Sequence, residues 1–237
     1  MRRWGQSTRC DRLSQPTTGE ASARSAAESV YFSYAMGACR RTAVLAFSIF
    51  CIFCVAAGPT AAHPHVFIDN IVTFVFAGGR LTGLRLLWGF DAVYSQALLE
   101  DFDTDHDGKF SAAEIANMKK TSLTGLKPFS FFTHIWVDGK PMKDFDATDL
   151  TAARHGDFVL YDMQIKLAKP LDPRSNRIET SIFDDSYYID VALNSAHPVV
   201  FAGLPDGQCS YKVTEDSKRA YYYDSVYPQV ILLVCKG

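Results

Sequence analysis

Cysteine is scarce in this chain wherever a folded domain could use it. Six cysteines occur in 237 residues, but Cys10, Cys39, Cys51 and Cys54 all precede residue 63. Cys209 and Cys235, the two that remain, lack a C-x-x-C partner and a neighbouring histidine, which argues against zinc ligation or catalysis by sulfur. No H-E-x-x-H or nucleophile motif is present, and no internal repeat or low-complexity linker follows residue 63. A net charge of −2 leaves no basic patch, so nucleic acid is not an expected partner. The longest apolar run, Ala43 to Gly58, falls short of the roughly 20 residues a membrane span needs. No lipobox-like sequence precedes Cys51 or Cys54, so no covalent membrane anchor is expected.

That run sits between Arg40-Arg41 and the small residues Thr60-Ala61-Ala62. A charged start, an apolar middle and a small-residue end are the three parts of a secretory signal peptide, with a membrane anchor as the alternative. Residues 36–62 are therefore read as a signal peptide, and residues 1–35, rich in Ser, Arg and Ala, as an extension before the true start at Met36. His63 becomes the first residue of an exported, periplasmic domain spanning residues 63–237. In an oxidising compartment the pair Cys209 and Cys235 is expected to form a disulfide that ties the last strand to a hairpin.

Beyond the leader the pattern is mostly strand. In "HVFIDNIVTFVF" (65–76) Val66, Ile68, Val72, Phe74 and Phe76 share one face, and Ala77-Gly-Gly-Arg80 turns the chain into "LTGLRLLWGF". "SFFTHIWV" (130–137), ended by Asp138-Gly139, marks a second hairpin. "DFVLYDMQIKL" places Val159, Tyr161, Met163, Ile165 and Leu167 at period two. "NRIETSIFD", "YYIDVAL", "PVVFAG" and "QVILLVC" complete an antiparallel set. Helix is expected only around an acidic loop, so the class is α+β: a β-rich, antiparallel, sandwich-like domain with an EF-hand-like helix-loop-helix inserted at 92–127.

From Asp103 the loop reads "DTDHDGKFSAAE" and satisfies D-x-[DN]-x-[DN]-G-x5-E at every position. Asp103, Asp105 and Asp107 supply single carboxylate oxygens, Gly108 permits the sharp turn and Lys109 offers its backbone carbonyl. Ser111 can hold a water, and Glu114 closes the site with both oxygens. Phe90, Tyr94, Leu98 and Phe102 form a helical stripe before it, and Ile115, Met118 and Leu126 continue after it. Ser111-Ala-Ala-Glu114 also reads as an ordinary capping box, but three crowded aspartates repel one another without a cation. Ca2+ is the expected occupant, bound for stability at the weak end of the range, ~10⁻⁴ to 10⁻³ M.

"HPHVFID" at the new N-terminus is a second candidate. In a strand His63, His65, Phe67 and Asp69 share one face, and two imidazoles at i and i+2 can reach one transition metal, Zn2+ first, Ni2+ or Co2+ next. Pro64 has no amide proton, which excludes a terminal X-X-His copper site. His197 is the first choice for a distant third ligand, and "FDDSYYID" could orient the imidazoles. His134 reads as a satisfied core histidine, and His106 and His155 as turn residues.

In this order "AHPHVFID", "WGFD" (88–91), the loop with Glu114, the phenylalanines of "FSFFTHIWV" and "FDDSYYI" resemble a bacterial family labelled as the periplasmic component of an uncharacterised ABC-type transport system. The likeness covers essentially all of residues 63–237. Members are often encoded beside permeases of the nickel/cobalt-transporter type, and one such pair is assigned to zinc uptake. The resemblance therefore implies a membrane permease as partner and a transition metal as cargo. It also implies His63 and His65 as the leading His-Pro-His and Asp184 as the Asp before Tyr-Tyr, although this chain has Asp184-Asp185 where the family often has Asp-Pro. The expected function is a metal-binding accessory or solute-binding component of a transport system, and not an enzyme. A metalloenzyme using the N-terminal histidines and a purely structural calcium-stabilised adaptor are the alternatives.

Overall fold

A computed structural model describes residues 64–236; the leader, the N-terminal extension and His63 lie outside the described residues. The strands are β1 Val66–Ala77, β2 Arg80–Phe90, β3 Thr133–Val137, β4 Lys140–Met142, β5 Phe145–His155, β6 Phe158–Leu171, β7 Ile178–Ile182, β8 Ile189–Leu193, β9 Val199–Ala202, β10 Cys209–Glu215 and β11 Gln229–Cys235. Two α-helices, α1 Ala92–Phe102 and α2 Ala112–Leu126, lie between β2 and β3, and a 3-10 turn, Lys127–Phe132, follows them.

β1 forms because its apolar residues alternate, and the structure buries Val66, Ile68, Val72, Phe74 and Phe76 on one face while Phe67 and Asp69 stay exposed. The turn into β2 has only Gly78 and Gly79 at its centre, with φ of 57° and 74°. Such a type I′ turn matches the strand twist and needs positive φ twice. One sheet runs β5-β6-β2-β1-β8, with β9 also paired to β1, and the other runs β10-β11-β7-β3-β4. Phe74 and Leu86 from the first sheet and Ile135, Ile178 and Ile231 from the second belong to one buried cluster, which Leu98, Leu99 and Met118 of the helices join. Among the described residues no helix is long and apolar enough to cross a membrane.

The fold is β-rich α+β, with three departures from the strand pattern. β8 and β9 run parallel to β1, so the first sheet is mixed. Alternation reports which face a residue occupies, not the direction of its strand, and here β8 arrives from the second sheet by crossing over. β5 and β10 lack a marked apolar alternation because they are sheet edges with largely exposed residues. The hairpin strand starts at Thr133, since Ser130, Phe131 and Phe132 take φ of 52°, 55° and 54°. Left-handed backbone at such residues costs of order 1–3 kcal/mol each, and burial of Phe131 and Phe132 offsets it.

The second sheet is clamped on its outer side by the segment leading into β11. Arg219 lies 4.0 Å over the Trp136 ring and also binds Glu179 at 2.7 Å, which Arg177 holds at 2.6 Å from the other side. Burial pushes the Glu179 carboxyl up, but the two arginines outweigh it and leave the group below its ordinary value. At the far end Cys209 and Cys235 are register partners with Cα atoms 4.1 Å apart and their sulfurs in bonding contact. The bridge closes a loop of 26 residues. Thiol labelling of the unfolded, unreduced protein should find neither cysteine of this pair free. Replacing both with alanine should lower stability by roughly 3 kcal/mol in a denaturant titration.

Candidate functional site

Asp91 starts the helix pair. Its Oδ1 accepts from the N–H groups of Val93 and Tyr94 at 2.9 and 3.0 Å, which caps α1. Ser95 anchors the same helix to the sheet, accepting from Val159 N–H at 2.8 Å and donating to the Phe90 carbonyl at 3.2 Å. At the other end α1 runs into the acidic loop at Asp103.

Inside the loop Asp103 accepts from Asp107 N–H at 3.2 Å and from Gly108 N–H at 2.9 Å, and Gly108 has the positive φ, 80°, that the turn requires. Asp105 also accepts from Asp107 N–H, at 3.2 Å, while the Asp107 carboxylate turns to the Lys109 N–H at 2.7 Å. Ser111 caps α2, accepting from Glu114 N–H, and Glu114 Oε2 accepts from Ser111 N–H at 2.8 Å. The capping box therefore shares Ser111 and Glu114 with the candidate cation loop. Glu114 Oε1 accepts from the Thr104 N–H at 2.6 Å and its hydroxyl at 2.7 Å.

These bonds draw carboxylates to one point. Asp103, Asp105 and Glu114 each offer an oxygen within 4.8 Å of the others, and no other such group of three His, Cys, Asp or Glu occurs among the described residues. Asp103 and Glu114 are buried, whereas Asp105 is exposed. Glu114 Oε1 is taken up by its two bonds from Thr104, but Glu114 Oε2 and the oxygens of Asp103 and Asp105 accept at most one bond each and keep a lone pair, so a hard oxygen-seeking cation such as Ca2+ fits the donor set. Arg154 of β5 donates to the Gly108 carbonyl at 3.4 Å, a neighbouring charge that nothing in the loop's spacing announces.

The second candidate lies at the start of β1. His65 is exposed, its ring 4.9 Å from that of Tyr188, and its N–H donates to the Tyr188 carbonyl at 2.9 Å. Next along, Phe67 N–H donates to Asp91 Oδ2 at 2.9 Å. Pieces of "HPHVFID", "WGFD" and "FDDSYYI" thus meet at one corner, with Tyr188 as the contact that face alternation alone does not supply.

The other proposed ligands are placed differently. Asp69 shares the outer face of β1 but lies four residues, about 13 Å of strand, from His65. Its carboxylate accepts from Asn194 Nδ2 at 2.7 Å, and Asn194 in turn accepts from His197 N–H at 2.8 Å. Asp184 is buried and clamps its own turn. Its oxygens accept from Ser186 N–H and Oγ at 3.0 and 2.7 Å, Tyr188 N–H at 3.2 Å and Ile189 N–H at 3.1 Å. It reaches His65 only through Tyr188. His134 stacks on Phe183 at 3.8 Å with Nε2 3.1 Å from the Phe183 carbonyl, and burial holds it below its ordinary basicity.

The loop has a pH signature of its own. The Thr104 hydroxyl, then the Ser111 and Thr104 N–H groups, lower the Glu114 carboxyl from 4.5 to about 2. A carboxyl lowered on folding adds stability that is complete above its unfolded value and is lost as pH falls through the folded one. Calcium-free protein should therefore lose melting temperature from pH 4.5 down to about 2. Glu114→Gln should flatten that part of a pH series of thermal melts.

Comparison with known proteins adds relatives without assigned activity. The chain is 24% identical over 131 residues to an uncharacterised 15.5 kDa protein in the trpE 3′ region of Spirochaeta aurantia, covering 55% of this chain and 93% of that one. It is also 24% identical over 170 residues to an uncharacterised protein of Haemophilus influenzae, covering 70% of this chain and 80% of the relative. No solved structure matches. With residues 48–228 matched, this chain belongs to the family described as protein of unknown function (DUF1007).

Proposed function

We propose that the protein is an exported, calcium-stabilised accessory component of a transition-metal transport system, which holds zinc, nickel or cobalt at its N-terminal histidines and exchanges it with a membrane permease. The observation that carries this reading is the setting of His65. Its imidazole is exposed at the start of β1, and Tyr188, fixed by Asp184, lies against it. His63, two residues earlier, would place a second imidazole on the same face of an extended chain. The resemblance to periplasmic transport components agrees with that placement. The loop at 103–114 acts as an EF-hand-like site in which calcium is resident.

The calcium-stabilised adaptor reading draws on one observation, that Asp69, Asp184 and His197 do not gather around His65. In that reading the histidines bind nothing, and titration separates the two.

Chelation should lower the melting temperature of the protein, and Glu114→Ala should reproduce the shift without chelator; unchanged melting in both experiments removes calcium from the reading. Replacing His63 and His65 together with alanine should abolish zinc binding in calorimetry yet leave calcium-dependent melting intact. Zinc affinity of the native protein should weaken as pH falls through about 6.5, since neutral imidazoles are required. A double variant that binds zinc, nickel and cobalt as the native protein does would sink the transport-site assignment.

A further inference from the structure

Two large apolar side chains stand in solvent on the outer face of the first sheet. Phe67 of β1 is 50% exposed and Phe158 of β6 is 49% exposed. Scattered apolar residues at a surface need no explanation, but grouped ones do, and strand register groups these two. β2 lies between β1 and β6 and runs antiparallel to both, pairing Gly89 with Asp69 on one side and with Leu160 on the other. Two residues before Asp69 and Leu160, Phe67 and Phe158 stand level with each other on that same face. Two strand spacings, about 10 Å, separate them.

Between these walls the floor is bare. Gly89 has no side chain, and a Cβ built on it would meet only Leu160 Cδ2 at 3.4 Å, the Asp69 carbonyl at 3.8 Å and Asp69 Cβ at 4.0 Å. Its φ is not positive, so the backbone does not demand glycine there. The missing side chain leaves a slot of about 500 Å3, with Phe67 and Asp69 along one side and Phe158 and Leu160 along the other. That volume falls within the roughly 300–1,000 Å3 of small-molecule sites.

The slot has acidic but no strongly basic walls. Asp69 and Asp91 line it, His155 stands at the β5 end, and no lysine or arginine is among its walls. Asp91 gives both oxygens to backbone N–H groups. Asp69 is exposed and accepts one bond, from Asn194 Nδ2 to its Oδ2. Its Oδ1 accepts from no donor among the described residues and is left for one that arrives from outside.

We infer that this slot binds a small molecule that joins an aromatic ring to a protonated amine, the ring lying between Phe67 and Phe158 over Gly89 and the ammonium at Asp69 Oδ1. The phenylalanines supply ring contacts, and the carboxylate supplies a charge-assisted hydrogen bond. The site uses neither His65 nor the acidic loop, and it does not depend on the transport reading.

Phenethylamine, phenethyl alcohol and hydrocinnamate test it, because they share the ring and differ in the charge of the tail. Phenethylamine should shift the Gly89 amide resonance and bind about fivefold more tightly than the alcohol, the upper end for an exposed ion pair. Hydrocinnamate should bind more weakly than either, and added salt should narrow the difference between amine and alcohol. Asp69→Asn can still accept from Asn194; it should bring the amine down to the affinity of the alcohol and leave the alcohol unchanged. Gly89→Val fills the floor with a residue that suits strands, and it should weaken amine and alcohol together without lowering the melting temperature. Phe158→Ala, which removes a half-exposed wall, should weaken both in the same way. Equal binding of phenethylamine and hydrocinnamate would overturn the cation assignment. Amine binding unchanged in both Gly89→Val and Phe158→Ala would place the ligand elsewhere. A Gly89 amide that stays still with all three compounds up to their solubility limits would overturn the site itself.

Discussion

The carboxylate of Asp91 accepts from three backbone N–H groups, those of Phe67, Val93 and Tyr94, and Asp91 N–H donates back to the Phe67 carbonyl at 3.0 Å. One side chain thereby satisfies two orphan donors of α1 and fixes the second residue of β1. Its charge is also well placed against the positive end of the helix. The position of α1 fixes where the acidic loop begins, and the position of β1 fixes where His65 stands. Both candidate sites depend on that join.

Carboxylates do much of the structural work in this protein, in two distinct ways. Asp91 gathers donors from the start of α1 and from Phe67 of β1, Asp184 gathers them from its own turn, and the oxygens of both are committed to the chain around them. Asp103, Asp105 and Glu114 also accept from their own loop, yet the loop curls so that one oxygen from each converges. Convergence, not acidity, separates this candidate cation site from a turn clamp. The same donors that hold Glu114 in place lower its carboxyl and keep it ionised.

β1 is the other shared element. It pairs with β2 on one edge and with both β8 and β9 on the other, in parallel. Its buried face fills the core, and its exposed face carries His65, Phe67 and Asp69. Because β8 follows directly from the Asp184 turn, pairing of Val66 with Ile189 brings Tyr188 against His65. The contact is a product of sheet assembly and would vanish with a one-residue slip in register.

The sequence by itself determined what depends on near neighbours. Alternation assigned the buried faces of β1 and β6, and Gly78-Gly79 and Asp138-Gly139 set two hairpin turns, since both signals lie in residues adjacent along the chain; of the loop's expected carboxylates, Asp103, Asp105 and Glu114 converge and Asp107 does not. Tertiary structure decided the rest. Nothing local tells β8 and β9 to run with β1 or tells Tyr188 to cover His65. Those outcomes follow from which strand edge remained free and which way the chain was travelling when it crossed between sheets.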